Sequence, residues 1–235
     1  MLKSAKWSQR AQALEDFLRY LIEMQPNELM NQLKTEPDFA TIVEIVIQKL
    51  DGETVIRILE ISLDLIELLL SSLPECLIAN INDVIICFLK QLSSRREMIS
   101  EKANDLINLA RETLGADFLL PHFISILDDM APDPQQIKTK ISALEVLNVL
   151  IKESESLDNN SENYPQYVAV VKSLGNVIKQ HSSQRSIVNP VIGAILSLRD
   201  KNMQTTFKAI VEELNQTQYT ILKQLLNAYE RTLAR

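Results

Sequence analysis

The sequence has only four glycines, at positions 52, 115, 175 and 193. None are grouped, so the chain has no glycine-rich loop of the kind that cradles phosphate. Cysteine is nearly as scarce: Cys76 and Cys87 both sit among apolar neighbours and read as small buried hydrophobes in a reducing compartment. The two histidines, His122 and His181, lie far from each other and from the cysteines, and a metal site needs clustered ligands. His122, in LLPHFISIL, falls on a helix and partly buried, while His181 ends a helix, where a positive charge is favourable. Neither is placed beside a nucleophile. Adjacent carboxylates such as Glu15-Asp16 and Asp128-Asp129 read as solvated helix surface. The expectation is no catalytic residue, no metal, no cofactor and no enzymatic activity.

Long apolar runs are missing too. The longest, at 56–70, is broken by Arg57, Glu60, Asp64 and Glu67, whereas a bilayer span needs roughly 20 apolar residues. The opening MLKSAKWSQR lacks the apolar segment of a signal peptide. An intracellular protein that does not engage membrane is expected. Nor is there a basic excess: the net charge of −7 argues against general nucleic-acid binding, although a local basic ridge is compatible with it.

What the chain has in abundance is helical periodicity. Its hydrophobic fraction of 46%, with so little glycine, describes a well-packed helical protein. Ala11, Leu14, Phe17, Leu18 and Leu21 make one face of the first helix, and Phe39, Ile42, Val43, Val46 and Leu50 repeat the pattern. Between 55 and 70 the four charged residues form one narrow stripe, so this helix must be covered on both flanks, as an inner helix of a solenoid is. Further helices are predicted at about 77–92, 95–114, 117–130, 134–152, 165–181, 184–198, 202–214 and 217–234. Gly52, Ser93-Ser94, Pro132, Pro134, Ser182-Ser183 and Asn202 punctuate them. Pro121 and Pro190 fall inside helical patterns and predict a late start or a kink, and 153–163 reads as an exposed loop.

Turn-then-helix segments begin near Trp7, Gly52, Arg95, Gln135 and Gln184, at intervals of roughly 40–50 residues, the period of HEAT or armadillo repeats. Two helices per period favour HEAT. The expected fold is all-α, an α-solenoid of five to six HEAT-like helical hairpins. Residues 1–235 are expected to form a single, monomeric domain cut from a longer protein.

In such a stack the turns inside successive repeats line up along one edge. They hold Lys3, Lys6 and Trp7; Asp51, Gly52 and Glu53; Arg95 and Arg96; Pro134 and Gln135 with Lys138 beyond; and His181, Gln184 and Arg185. Four of the five turns carry basic residues in a chain that is acidic overall, which suits an acidic protein partner. Trp7, the sole tryptophan, precedes its helix and serves either as a staple of the helix entry or as an exposed anchor.

The segment KWSQRAQAL resembles the opening of a TOG domain, a HEAT-type array in which an aromatic-containing first turn precedes an Arg-containing helix. TILKQLLNAYERTLAR, with Leu225, Leu226, Tyr229 and Arg231, resembles the closing helix of TOG domains in the CLASP family of microtubule-associated proteins. The resemblance implies tubulin binding through the intra-repeat turns, by Lys6, Trp7, Arg95, Arg96, Lys138 and Arg185, in the cytoplasm, on microtubules and the spindle. The acidic turn Asp51-Gly52-Glu53 departs from that pattern and would meet acidic tubulin at a cost. Two alternatives remain: a TOG-like module that recruits plus-end or kinetochore adaptors through a helix face, and a general HEAT scaffold.

Overall fold

The computed structural model describes residues 6–23, 41, 44–47, 50, 53–130, 136–154, 164–181, 183–201, 207–208, 211–212 and 214–233. Contacts divide the chain into two compact units, Met1–Leu114 and Gly115–Arg235. The described residues form helices joined by short turns, with no strand among them.

The first unit contains α1 (Trp7–Glu23), α2 (Ile56–Ser72), α3 (Ile81–Leu92) and α4 (Glu97–Leu114). The described part of 41–50 is helical too, and buries Val46, Ile47 and Leu50. Helix α2 packs against α1 on one side and α4 on the other, so its thin polar stripe is flanked as its sequence requires. The stripe is bridged from both neighbours. Glu15 of α1 accepts from Arg57 at 2.6 Å, and Lys102 of α4 pairs with Asp64 and Glu67. Beneath it Ile58, Leu63, Leu65, Ile66 and Leu70 are fully buried. These apolar side chains dominate the stability of the unit, because exposed ion pairs contribute little.

Two short 3-10 turns, Pro74–Cys76 and Ile78–Asn80, start the chain into α3. Residues 77–80, assigned by periodicity to the following helix, are thus a separate turn. A proline at 74 and the half-buried Cys76, whose thiol donates to the Leu73 carbonyl at 2.9 Å, keep this stretch tighter than an α-helix.

The second unit contains α5 (Ala116–Asp129), α6 (Ile137–Glu153), α7 (Tyr164–His181), α8 (Arg185–Lys201) and α9 (Gln216–Leu233). Helices α5 and α6 form one hairpin and α7 and α8 the next; α5 stacks on α7, α6 stacks on α8, and α9 packs on α7. This is the two-row packing of HEAT hairpins. Ser197 of α8 donates to Asn148 of α6 at 2.7 Å across one row. Gly175 lets α9 approach α7 closely: a Cβ there would lie 3.1–3.2 Å from Leu214 and Gln218.

Pro121 and Pro190 sit inside α5 and α8, and both helices begin before their proline, so neither delays the start. Helix α8 runs on to Lys201, past the end its periodicity marks. Of the predicted helix 202–214, only 207–208 and 211–212 are described, and they are helical. Of the expected exposed loop 153–163, Glu153 still belongs to α6 and Ser154 is buried, its hydroxyl donating to the Ile151 carbonyl. Residues 155–163 lie outside the described residues, as do Lys3, Phe39, Ile42, Val43, Asp51, Gly52, Pro132, Pro134, Gln135, Ser182 and Asn202.

Candidate protein-binding edge

Parallel helices place their starts at the same end, and in the first unit this can be read from ion pairs. Arg10 meets Glu53 at 3.2 Å and Glu15 meets Arg57, an almost constant offset along α1 and α2 that only parallel helices give. Helix α4 folds back on α3, with the Ser100 hydroxyl donating to the Leu92 carbonyl, and lies beside α2. In the alternating helices of a HEAT stack its start then faces the same way as that of α2. The N-termini of α1, α2 and α4 therefore share one edge.

That edge gathers four of the sequence-predicted residues. Lys6 is exposed immediately before α1, and its carbonyl accepts the first helical N–H groups while its own N–H donates to Gln9 Oε1 at 3.2 Å. Trp7 does not precede its helix, as its sequence suggests, but is the first residue of α1. It shares the phase of the buried Ala11 and Leu14 yet is 56% exposed, since at the helix end it overhangs the core. Arg95 and Arg96 are exposed in the turn before α4, where the Arg96 N–H donates to Ser94 Oγ and its carbonyl starts the helix. In the second unit Lys138 and Arg185 are exposed in the first turns of α6 and α8, neighbours within one row.

Two residues on the first edge escaped the sequence reading. Ile56, the first residue of α2, is 42% exposed, and Met98, the second of α4, is 72% exposed. The signal was present. Ile56 continues the stripe of Glu60, Asp64 and Glu67, and Met98 continues that of Glu101, Lys102 and Asp105, so each is an apolar residue on a polar face.

Glu53, from the acidic turn before α2, offers less free charge than its sequence implies. Glu53 is 8% exposed at its side chain; one carboxylate oxygen binds Arg10 and the other accepts the N–H groups of Thr54 and Val55, both at 3.0 Å. Burial raises its pKa, but the Val55 and Thr54 donors and then Arg10 outweigh that, leaving it below the ordinary 4.5. Glu53 is therefore an internal brace between α1 and α2.

His181, expected to offer a positive charge at the end of α7, does not. It is 5% exposed, and burial together with the Lys140 ammonium 3.4 Å away holds its pKa below 6.5, against a weaker opposing contribution from Gln184. His122 lies half-buried on α5 beside Phe118, its pKa lowered by burial. Burial pushes the Cys76 thiol up to about 12. Among the described residues no group of His, Cys, Asp and Glu could hold a metal, and no helix is long and apolar enough to cross a membrane.

Solved structures share this architecture. A chain described as "Crescerin uses a TOG domain array to regulate microtubules in the primary cilium" superposes with a TM-score of 0.63 at 13% identity, covering 93% of this chain and 85% of that one. The fold is that of a TOG domain. Drosophila melanogaster Mini spindles TOG3 superposes with a TM-score of 0.54, also at 13% identity, over 97% of this chain and 90% of the other. No family model matches the sequence, and no curated protein matches it. In α9, Leu225 and Leu226 are half-buried and Arg231 is exposed, while the Tyr229 side chain lies outside the described residues.

Proposed function

We infer that this TOG-fold chain is a non-catalytic protein-binding domain of a larger microtubule regulator, which binds tubulin along the edge where its parallel helices begin. One observation carries the reading. In the first unit Lys6, Trp7, Ile56, Arg95, Arg96 and Met98 are all exposed at or just before the starts of α1, α2 and α4, apolar residues beside cations. Aromatic and apolar anchors supply affinity at such interfaces, and cations select an acidic partner such as tubulin. The aligned helix starts add fractional positive charge. Glu53, turned inward onto Arg10, subtracts little. A protein of the same fold that regulates microtubules supports the assignment, as does the CLASP-like closing helix, and a cytoskeletal location follows from it.

Size-exclusion co-elution with unpolymerised αβ-tubulin, at low and moderate salt, tests this. The wild-type chain is expected to form a complex that weakens with salt. A variant with Trp7→Ala, Arg95→Glu and Arg96→Glu is expected to lose it. Absence of a wild-type complex at either salt would overturn the reading.

A second reading rests on a groove of about 370 Å³ in the second unit, lined by Phe207, Val211, Tyr219, Leu222 and Leu226, with Arg199 at its margin. Such a trough suits an amphipathic helix of a plus-end or kinetochore adaptor. Adaptor binding there would resist charge reversal at Arg95 and Arg96 and be lost with Leu226→Asp.

A further inference from the structure

Buried lysines are rare, because an ammonium left without partners is costly to remove from water. Lys140, in the first turn of α6, is 1% exposed. Its ammonium donates to the Met130 carbonyl at 3.2 Å and lies 3.4 Å from His181 Nε2. No carboxylate pairs with it among the described residues. Met130 closes α5 and opens the turn to α6; His181 closes α7, and its carbonyl accepts the Gln184 N–H at 2.9 Å in the turn to α8. One side chain thus ties together the ends of α5 and α7, close along the chain to the helix starts that carry Lys138 and Arg185.

We propose that Lys140 and His181 form a proton-sensitive tie that holds the end of α7 in register with the end of α5 and the start of α6. The chemistry follows from the donors. An ammonium has no lone pair, so His181 accepts through Nε2 and carries its proton on Nδ1. A proton on Nε2 removes the acceptor and sets two buried cations 3.4 Å apart. The charged residues closest along the chain to these helix ends are exposed: Asp128 and Asp129 on α5, Lys138 on α6, Lys179 on α7 and Arg185 on α8, while the half-buried Asp117 stands at the opposite end of α5. None is placed to neutralise the second cation. Acid therefore opens the tie, and neutral pH closes it. The lowered pKa of both groups agrees with this arrangement.

The tie is internal to the second unit and its test needs no tubulin, so it stands or falls separately from the proposed function. Imidazole nitrogen NMR on the full chain should show His181 neutral with its proton on Nδ1 at pH 7.5. Amide exchange at Gln184 and Ile187 should be slow there and accelerate on lowering the pH to 5, after correction for the intrinsic rate, while helix α2 stays protected. His181→Gln keeps an acceptor for Lys140 but cannot titrate, so that acceleration should disappear. Lys140→Met removes the neighbouring cation and should raise the His181 midpoint. If Lys140→Met does not fold, the His181→Gln profile decides alone. An Nε2-protonated imidazole at pH 7.5, or acid-induced exchange that persists in His181→Gln, would overturn the proposal.

Discussion

Replacing Arg10 with methionine tests whether Glu53 is a brace rather than a surface charge. Methionine keeps much of the apolar stem and removes the guanidinium. Exposed ion pairs contribute about 0–1 kcal/mol, and breaking a buried one costs about 3–5 kcal/mol. The side chains here are 22% and 8% exposed, and Glu53 retains its two backbone donors. An intermediate loss of about 2 kcal/mol is therefore expected. Trp7, the only tryptophan, stands one turn from Arg10, so urea unfolding followed by its fluorescence reports on this unit. Arg10 is engaged elsewhere as well. For that reason the decisive quantity is the coupling with Glu53→Gln, expected at about 1–2 kcal/mol from a double-mutant cycle. The sign with pH is fixed. Because the native Glu53 pKa lies below 4.5, its contribution is full above that value and declines as pH falls through the lowered native one. A coupling below about 0.3 kcal/mol, within the scatter of independent sites, would refute the argument and return Glu53 to the edge as a repulsive charge.

Other outcomes follow from single residues. Gly115, between α4 and α5, has φ +85°, so Gly115→Ala should destabilise by about 1 kcal/mol in thermal unfolding although nothing crowds the new methyl group. Gly175→Val should loosen α9 from α7, read as faster amide exchange along α9 with α6 unchanged, because a Cβ at that position already presses on Leu214 and Gln218. With its pKa near 12, Cys76 should resist a thiol reagent at pH 8 in the native chain and react promptly once unfolded in urea.

The helices were legible because a 3.6-residue rhythm survives any tertiary arrangement, and α2 even announced its two flanking neighbours through a stripe only one residue wide. The turn before α4 was legible because the pair Ser93-Ser94 marks it. Less so were the details that depend on register between distant segments. Glu53 looked like a charge offered to a partner because Arg10 is 43 positions away in sequence. His181 looked like a cation because Lys140, 41 positions away, gives no local sign that it folds beneath it. Trp7 was misplaced by one position across a helix boundary, where propensity is weakest. Ile56 and Met98 could have been found by asking which apolar residues fall on polar faces.

The first unit's candidate contacts occupy the first positions of their helices or the turns before them. Side chains there lie off the stripes that fill the core or, like Trp7, overhang the stripe's end, so their substitution disturbs the helix–helix seams little. Selection can therefore rewrite what such an edge recognises without first having to conserve foldability. Because the core asks only for apolar residues at helical spacing, the scaffold keeps its shape as its sequence drifts, and chains that share 13% of their residues with this one superpose over nearly its whole length.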